Sequence, residues 1–265
     1  MKRILISFIL ILTLTSCSSL APKGPTDAQI NAEAAKAYTE VKAKSKMSTN
    51  KEWAEVVQRV AKRIAAASGE NFEWETVLIE SPEVNAWCMP GGKMAVYTGI
   101  MPVLKTEAAL AAVMGHEVAH ATLRHGKQRY ARAISQNILG MVAGATAIAA
   151  GQFLCKTETC KQLSILGGAA AGFALTFFDR KFSRSDESSA DKEGQIYMAR
   201  AGYDPAEAPK LWERMSAANG GKAPPEFMST HPSDSTRKAM LNSWMEEATL
   251  IYKNSPHKYG QGEKI

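Results

Sequence analysis

Residues 115–126 read GHEVAHATLRHG, and three histidines fall between His116 and His125. On an α-helix, side chains four apart stand one above the other, so His116 and His120 present two imidazoles to a single point. Zinc can bridge that spacing. Glu117, rotated by about 100° from His116, flanks the pair instead of joining it. The pattern is H-E-x-x-H, in which the glutamate acts as general base towards a water. His125 does not extend it. The longer H-E-x-x-H-x-x-G-x-x-H pattern needs Gly at 123 and His at 126, and the chain has Leu123 and Gly126 there. On a helix that simply continues, His125 lies about 140° off the face of His120 and reads as a structural or surface residue.

A catalytic zinc needs a third protein ligand and one open position. SRSDESSADKEG, residues 183–194, offers candidates. Ser183 with Asp186 fits an S-x-x-[DE] capping box, so a helix should start there. On that helix Glu187 and Asp191 share a face. Glu187 can reach a metal, and Asp191 can accept a hydrogen bond from a ligand histidine and so fix its tautomer. Asp186 and Glu193 point elsewhere. An acidic helix start is favoured by the macrodipole in any case, so this segment acquires meaning only beside the histidine pair.

The elements that must position these groups follow from pattern. A helix can run from Thr26 to about Lys44. Another, Asn50 to Ser68, shows Trp53, Val56, Val57, Val60 and Ile64 on one face. Phe72 to Glu80 reads as a strand. Pro90-Gly91-Gly92 is a turn between the β-formers of Val84–Met89 and Lys93–Thr98, which suggests a hairpin. A helix starting near Thr106 carries the histidine cluster on to about Arg132. Further helices begin near Ser185, after Asp204-Pro205 and after Pro232. Ala133–Cys155 and Leu163–Phe178 contain no charged residue and are rich in Ala and Gly; they read as a closely packed apolar helical hairpin that offers a surface to a partner or membrane, the alternative being a transmembrane pair, for which the first stretch is long enough. The expected fold is α+β and mostly helical, with an active-site helix, a small antiparallel sheet with an edge strand, and that hairpin.

The chain has 265 residues, 45% of them hydrophobic, enough for one domain with a substantial core. Its formal charge of +6 falls to +4 once Lys2 and Arg3 are set aside, and no basic run remains, which argues against a nucleic-acid partner. Residues 1–16 have the form of a signal peptide: Lys2 and Arg3, then the short apolar run Ile4–Leu14. Leu14-Thr15-Ser16-Cys17 looks like a bacterial lipobox, which implies cleavage before Cys17 and acylation of its thiol, with residues 17–25 as a tether. Ser18 after the cysteine favours the periplasmic face of the outer membrane over the inner one. In an exported protein Cys155 and Cys160, framing CKTETC, can form a local disulfide, and Cys88 reads as a buried small hydrophobe.

Taken together, NAWCMPGGKMAVYTGI (85–100), HEVAHATLRHG (116–126), FSRSDESSAD (182–191), AGYDP (201–205) and FMSTHPSDSTR (227–237) make the chain resemble the M48 family of gluzincin metallopeptidases. The likeness is to its small bacterial lipoprotein branch without appended TPR repeats. It implies a zincin-like metallopeptidase domain over residues 26–255, followed by a tail, 256–265. It also implies one zinc bound by His116, His120 and Glu187, Glu117 as base, and Asp191 in support. By the same resemblance His231 stabilises the oxyanion and Arg237 helps it or orients substrate. Asn85 and the strand Gly92, Lys93, Met94, Ala95, Val96 form the substrate edge, where an extended peptide adds through main-chain hydrogen bonds. Trp87-Cys88 departs from the Phe-Ala common in the family. The implied substrates are unfolded or misassembled envelope proteins. The rival expectation is a chaperone-like assembly factor that binds such proteins and rarely cleaves them.

Overall fold

The structure is a computed structural model, and it describes residues 24–142, 177–178, 181–217, 227, 231 and 236–265. Cys17, the Cys155–Cys160 pair and most of the apolar hairpin lie outside these. Helices α1 (Asp27–Lys44) and α2 (Lys51–Ser68) come first, capped by the side chains of Thr26 and Asn50. Strands β1 (Glu75–Ile79), β2 (Ala86–Met89) and β3 (Lys93–Tyr97) follow. After a 3₁₀ turn come α3 (Met101–Leu104), α4 (Glu107–Thr122) and α5 (His125–Val142). The last helices are α6 (Arg184–Arg200), α7 (Glu207–Ala217), α8 (Arg237–Ser243) and α9 (Met245–Asn254).

The sheet has the order β1-β3-β2, with β1 parallel and β2 antiparallel to β3. This corrects two expectations. The sheet is mixed, not antiparallel, and the Lys93–Val96 strand is its centre, not its edge. Lys93 pairs with Glu75 on one side and Met89 on the other, and so on to Val96 with Leu78 and Ala86. Met94 to Tyr97 is apolar without alternation and buried on both faces, which suits a central strand, but β2 has the same pattern, so composition alone does not separate the two. The hairpin itself is as expected, and Gly92 (φ 84°) closes its turn under Trp74, whose ring leaves no room for a Cβ.

Alternate residues of the sheet feed two cores. Leu78, Cys88, Met94 and Val96 face α2 and α4, whereas Ile79, Trp87, Met89 and Tyr97 face Ile30, Tyr38 and Val41 of α1. Cys88 is free and buried, as its reading as a small hydrophobe requires. Every residue of α4 from Glu107 to Ala121 is buried, so this alanine-rich helix is the axis of the domain and has neighbours all round. The ten C-terminal residues return to it: the Glu107 amide donates to the Glu263 carbonyl, and Arg63 stacks on Tyr259 at 3.6 Å. No helix among the described residues is long and apolar enough to cross a membrane.

Candidate metal centre

Two helices distant in sequence bring the chemistry together. α4 carries His116, Glu117 and His120, and α6 carries Glu187 and Asp191. Their crossing is so close that only glycine fits: a Cβ on Gly115 would stand 2.6 Å from the Gly194 carbonyl oxygen, and one on Gly194 2.6 Å from the His116 amide nitrogen. The register of α6 is set at its start, where Ser183 and Asp186 form the reciprocal capping box. Glu187 lies one turn from that cap and Asp191 one turn further, both under the histidines.

The cluster consists of His116, His120, Glu187 and His231, all buried, with one atom from each inside a span of 4.8 Å. His116 Nε2 is 3.1 Å from His120 Nε2 and 3.1 Å from His231 Nδ1. Glu187 closes the figure at 3.1 Å from His231 Nδ1, 3.4 Å from His120 Nε2 and 3.5 Å from His116 Nε2. Ligand atoms set tetrahedrally at zinc's usual 2.0–2.2 Å are about 3.3–3.5 Å apart, and the 3.1, 3.4 and 3.5 Å among His116, His120 and Glu187 lie within or just under that range. The proton arrangement fits as well. His116 Nδ1 donates to Asp191 Oδ1 at 2.9 Å, which leaves its Nε2 as a bare lone pair aimed at the other members. Glu187 Oε2 is buried and accepts no hydrogen bond, its only cationic neighbour among the described residues being Arg237 Nη1 in an ion pair at 3.1 Å. A cation between these acceptors satisfies all of them.

Burial dictates much of the electrostatics. It drives His120 well below its ordinary value, so that imidazole is neutral. Burial also resists the charge on Glu187, but His231 and His120 outweigh it and hold the carboxyl far below the usual range. For Glu117 burial wins: the carboxyl is raised, despite His231, His116 and the Cys88 amide pulling it down. His231 shows the converse, with burial opposing its charge while Glu117 and Glu187 raise it. Its Nε2 stands 3.4 Å from Glu117 Oε1.

The remaining expected residues are placed differently from one another. Arg237, the first residue of α8, donates from Nη2 to Asp191 Oδ1 at 2.6 Å and pairs through Nη1 with Glu187 Oε2 at 3.1 Å, its plane 3.4 Å over Trp212. It lines a different cleft from Glu117. Asn85 lines the cleft of Glu117 and His231, together with Ala86 and Trp87. Lys93 to Val96 are not there, because β2 stands between β3 and the cleft.

His125 is a structural residue, one of the two roles expected of it, but it does not sit on a continuing helix facing away from His120: α4 ends at Thr122 and Arg124 takes φ 63°, a costly conformation for a residue with a Cβ. Ion pairs to Asp27 (3.0 Å) and Glu70 (2.8 Å) hold Arg124 there. The chain re-enters a helix at His125, whose ring swings inward and becomes buried with Nδ1 3.0 Å from His120 Nδ1. Arg129, one turn on, was missed too; it is buried in the cleft of Glu117, over Phe182 at 3.9 Å. A basic residue on a helix gives no sequence sign of that.

The sequence profile of peptidase family M48 matches residues 47–245. Mitochondrial metalloendopeptidase OMA1 of Schizosaccharomyces pombe is 39% identical over 197 residues, which are 73% of this chain and 53% of that protein. Mitochondrial metalloendopeptidase OMA1 of Saccharomyces cerevisiae is 30% identical over 70% of this chain and 51% of its own length. The beta-barrel assembly-enhancing protease of Escherichia coli is 30% identical over 66% of this chain and 35% of its own. The chain thus spans about half, or less, of these relatives. A match that covers the sheet, α4 and α6, and with them the whole cluster of His116, His120, Glu187 and His231, makes this chain a member of peptidase family M48.

Proposed function

We propose that the chain is a zinc-dependent endopeptidase, with one zinc, that cleaves unfolded or misassembled envelope proteins. Its proposed place is the periplasmic face of a bacterial outer membrane, the inner membrane being second choice, with acylated Cys17 as anchor. The observation that carries the chemistry is the buried ligand cluster with Glu117 beside it, in a chain of this family. The anchor and address rest on MKRILISFILILTLTSC at residues 1–17. The envelope substrate is supported by the Escherichia coli relative, itself a beta-barrel assembly-enhancing protease.

His116, His120 and Glu187 would hold the metal. Bound zinc supplies a Lewis acid that polarises a carbonyl and lowers the pKa of water to about 7. Glu117 takes the proton of the attacking water and passes it to the leaving amine. Burial raises its carboxyl above the ordinary range, which makes it a stronger base for that task. His231, held towards its charged form beside Glu117, supplies a donor for the charge that develops on the reacting oxygen. The substrate lies extended along the outer edge of β2, where Asn85, Ala86 and Trp87 share a cleft with Glu117. Main-chain pairing of that kind tolerates many sequences, and Phe178 and Phe182 at the cleft wall exclude water from the reaction.

The test compares the purified full chain with Glu117→Gln on casein, with and without a chelator. The wild type should cleave, the chelator should stop it, and Glu117→Gln should lose about 10²–10⁴-fold in rate while retaining zinc. Equal cleavage by both proteins refutes the mechanism. Casein binding without cleavage by the wild type favours the chaperone-like function.

A further inference from the structure

His120 has two ring nitrogens, and both are committed. Nε2 faces the ligand cluster, 3.1 Å from His116 Nε2 and 3.4 Å from Glu187 Oε1. Nδ1 faces His125 Nδ1 at 3.0 Å. A nitrogen that binds a metal must offer its lone pair, so the single proton of His120 belongs on Nδ1. That proton needs an acceptor, and the group opposite is the Nδ1 of His125.

The assignment then propagates. With its Nδ1 accepting, His125 carries its own proton on Nε2, which faces Ser189 Oγ at 3.3 Å and Asp186 Oδ1 at 3.9 Å. The Ser189 hydroxyl in turn has the carbonyl oxygens of Ser185 (2.9 Å) and Asp186 (3.0 Å) as acceptors. Each proton along the line thus has an acceptor. Asp186, the acidic end, is itself fixed by the Ser183 amide at 3.1 Å and faces Arg132 at 3.6 Å. His116 is held from behind by a carboxylate, Asp191, and His120 by an imidazole with a serine and a carboxylate behind it. His125 does not belong to the group of possible ligands, which is His116, His120, Glu187 and His231.

We propose that His125 is a positioning residue: it accepts the Nδ1 proton of His120 and so fixes the tautomer and ring plane in which His120 Nε2 is presented to zinc. The proposal rests on the metal-centre reading above. Loss of such a partner to a ligand histidine typically weakens metal affinity by 10–100-fold. A role in packing alone predicts a different dependence on the substituent. Asparagine can place its Oδ1 near the position of the imidazole Nδ1 and keep an acceptor there, whereas leucine fills the space and offers none.

Zinc affinity is measured on the full-length protein by competition with a chromogenic chelator, for wild type, His125→Asn and His125→Leu. Unfolding of the metal-free forms is followed in parallel. The expected order is wild type, then His125→Asn within about threefold, then His125→Leu weaker by about 10–100-fold, with the two metal-free variants unfolding alike. Wild-type affinity in folded His125→Leu overturns the proposal, and so does a His125→Asn as weak as His125→Leu. Should the leucine protein fail to fold, Ser189→Ala takes its place. That change removes the acceptor that keeps the His125 proton on Nε2, and it should weaken zinc several-fold where His125→Asn does not; the reverse order overturns the proposal. If the wild type binds no zinc, the metal-centre reading falls with it. If all the proteins bind equally well, only the role of His125 is lost.

Discussion

Gly194→Ala tests the frame of the site by its sign. Alanine in a helix interior is favoured over glycine by about 0.8–1.0 kcal/mol, so at an ordinary position in α6 the change stabilises. Here the new Cβ would lie 2.6 Å from the His116 nitrogen and 2.8 Å from both the Gly115 carbonyl carbon and the His116 Cα. All three are backbone atoms of a helix buried on every side, and no flexible side chain can move aside. Restoring ordinary contact at 3.4 Å from 2.6 Å requires α4 and α6 to part by about 0.8 Å. Overpacking of that kind costs about 1–3 kcal/mol, which exceeds the propensity gain at all but its lower end. The site is hurt more than the fold. Glu187 rides on α6 and the two histidines on α4, so the 3.4 and 3.5 Å separations that close the cluster would widen by a large part of the shift. A misplacement near 1 Å can cost about 10²-fold in rate. Urea unfolding of the metal-free protein, zinc competition and casein turnover measure the three effects. A Gly194→Ala protein that is more stable than wild type and binds zinc as tightly would refute the claim that backbone contact sets the ligand spacing.

Two further changes probe the supports. Burial pushes the Glu107 carboxyl up, but hydrogen bonds from Arg59 and Tyr203 and the charges of Arg59 and Arg63 hold it below its ordinary 4.5. A depressed carboxyl contributes stability that is complete above 4.5 and is lost as pH falls through its folded-state value. Glu107→Gln should therefore cost about 2 kcal/mol at pH 7, and urea titrations should show the gap closing in acid; a gap that stays constant down to pH 2 speaks against the assignment. Arg237→Lys keeps the charge but cannot span Asp191 and Glu187 while stacking on Trp212. Zinc competition should show affinity about tenfold weaker, and wild-type affinity would mean that the guanidinium does not position Glu187.

What was legible in the sequence was local chemistry. Thr26, Asn50, Thr106 and Ser183 all begin helices because each accepts a hydrogen bond from an amide three residues on, and that depends only on neighbours along the chain. The histidine pair could be read for the same reason: spacing on one helix fixes which side chains share a face. The strand order could not. Both arms of the hairpin are apolar, and only the arrival of β1, parallel and beyond the hairpin, decides that β3 is central and that β2 lies against the cleft. His125 was misplaced because the break before it depends on Arg124 being held at positive φ by Asp27 and Glu70, residues 97 and 54 positions away. No window around the histidines contains that information.

These separate observations meet on α6. Its cap fixes where Glu187 falls, and the same capping Asp186 faces His125 behind His120. One turn beyond Glu187, Asp191 takes the proton of His116, and a further three residues on, Gly194 sets how near α4 can come. Arg237 reaches in from α8 and pairs with two residues of this helix, Glu187 and Asp191. A rotation of α6 by a single residue, about 100°, would thus remove a ligand, the orienting groups of both histidines and the glycine contact together. Such coupling makes the site close to all-or-none. Intermediate geometries have no partial set of hydrogen bonds to settle into, and a buried, unpaired carboxylate or imidazole is costly. It also explains why a helix with so many polar residues is packed so deeply: from Ala190 to Ala199 only Lys192 and Glu193 are not buried, and the buried polar groups are those that hold the cluster or, as Gln195 does with the carbonyls of Pro205 and Leu241, tie α6 to the chain around it.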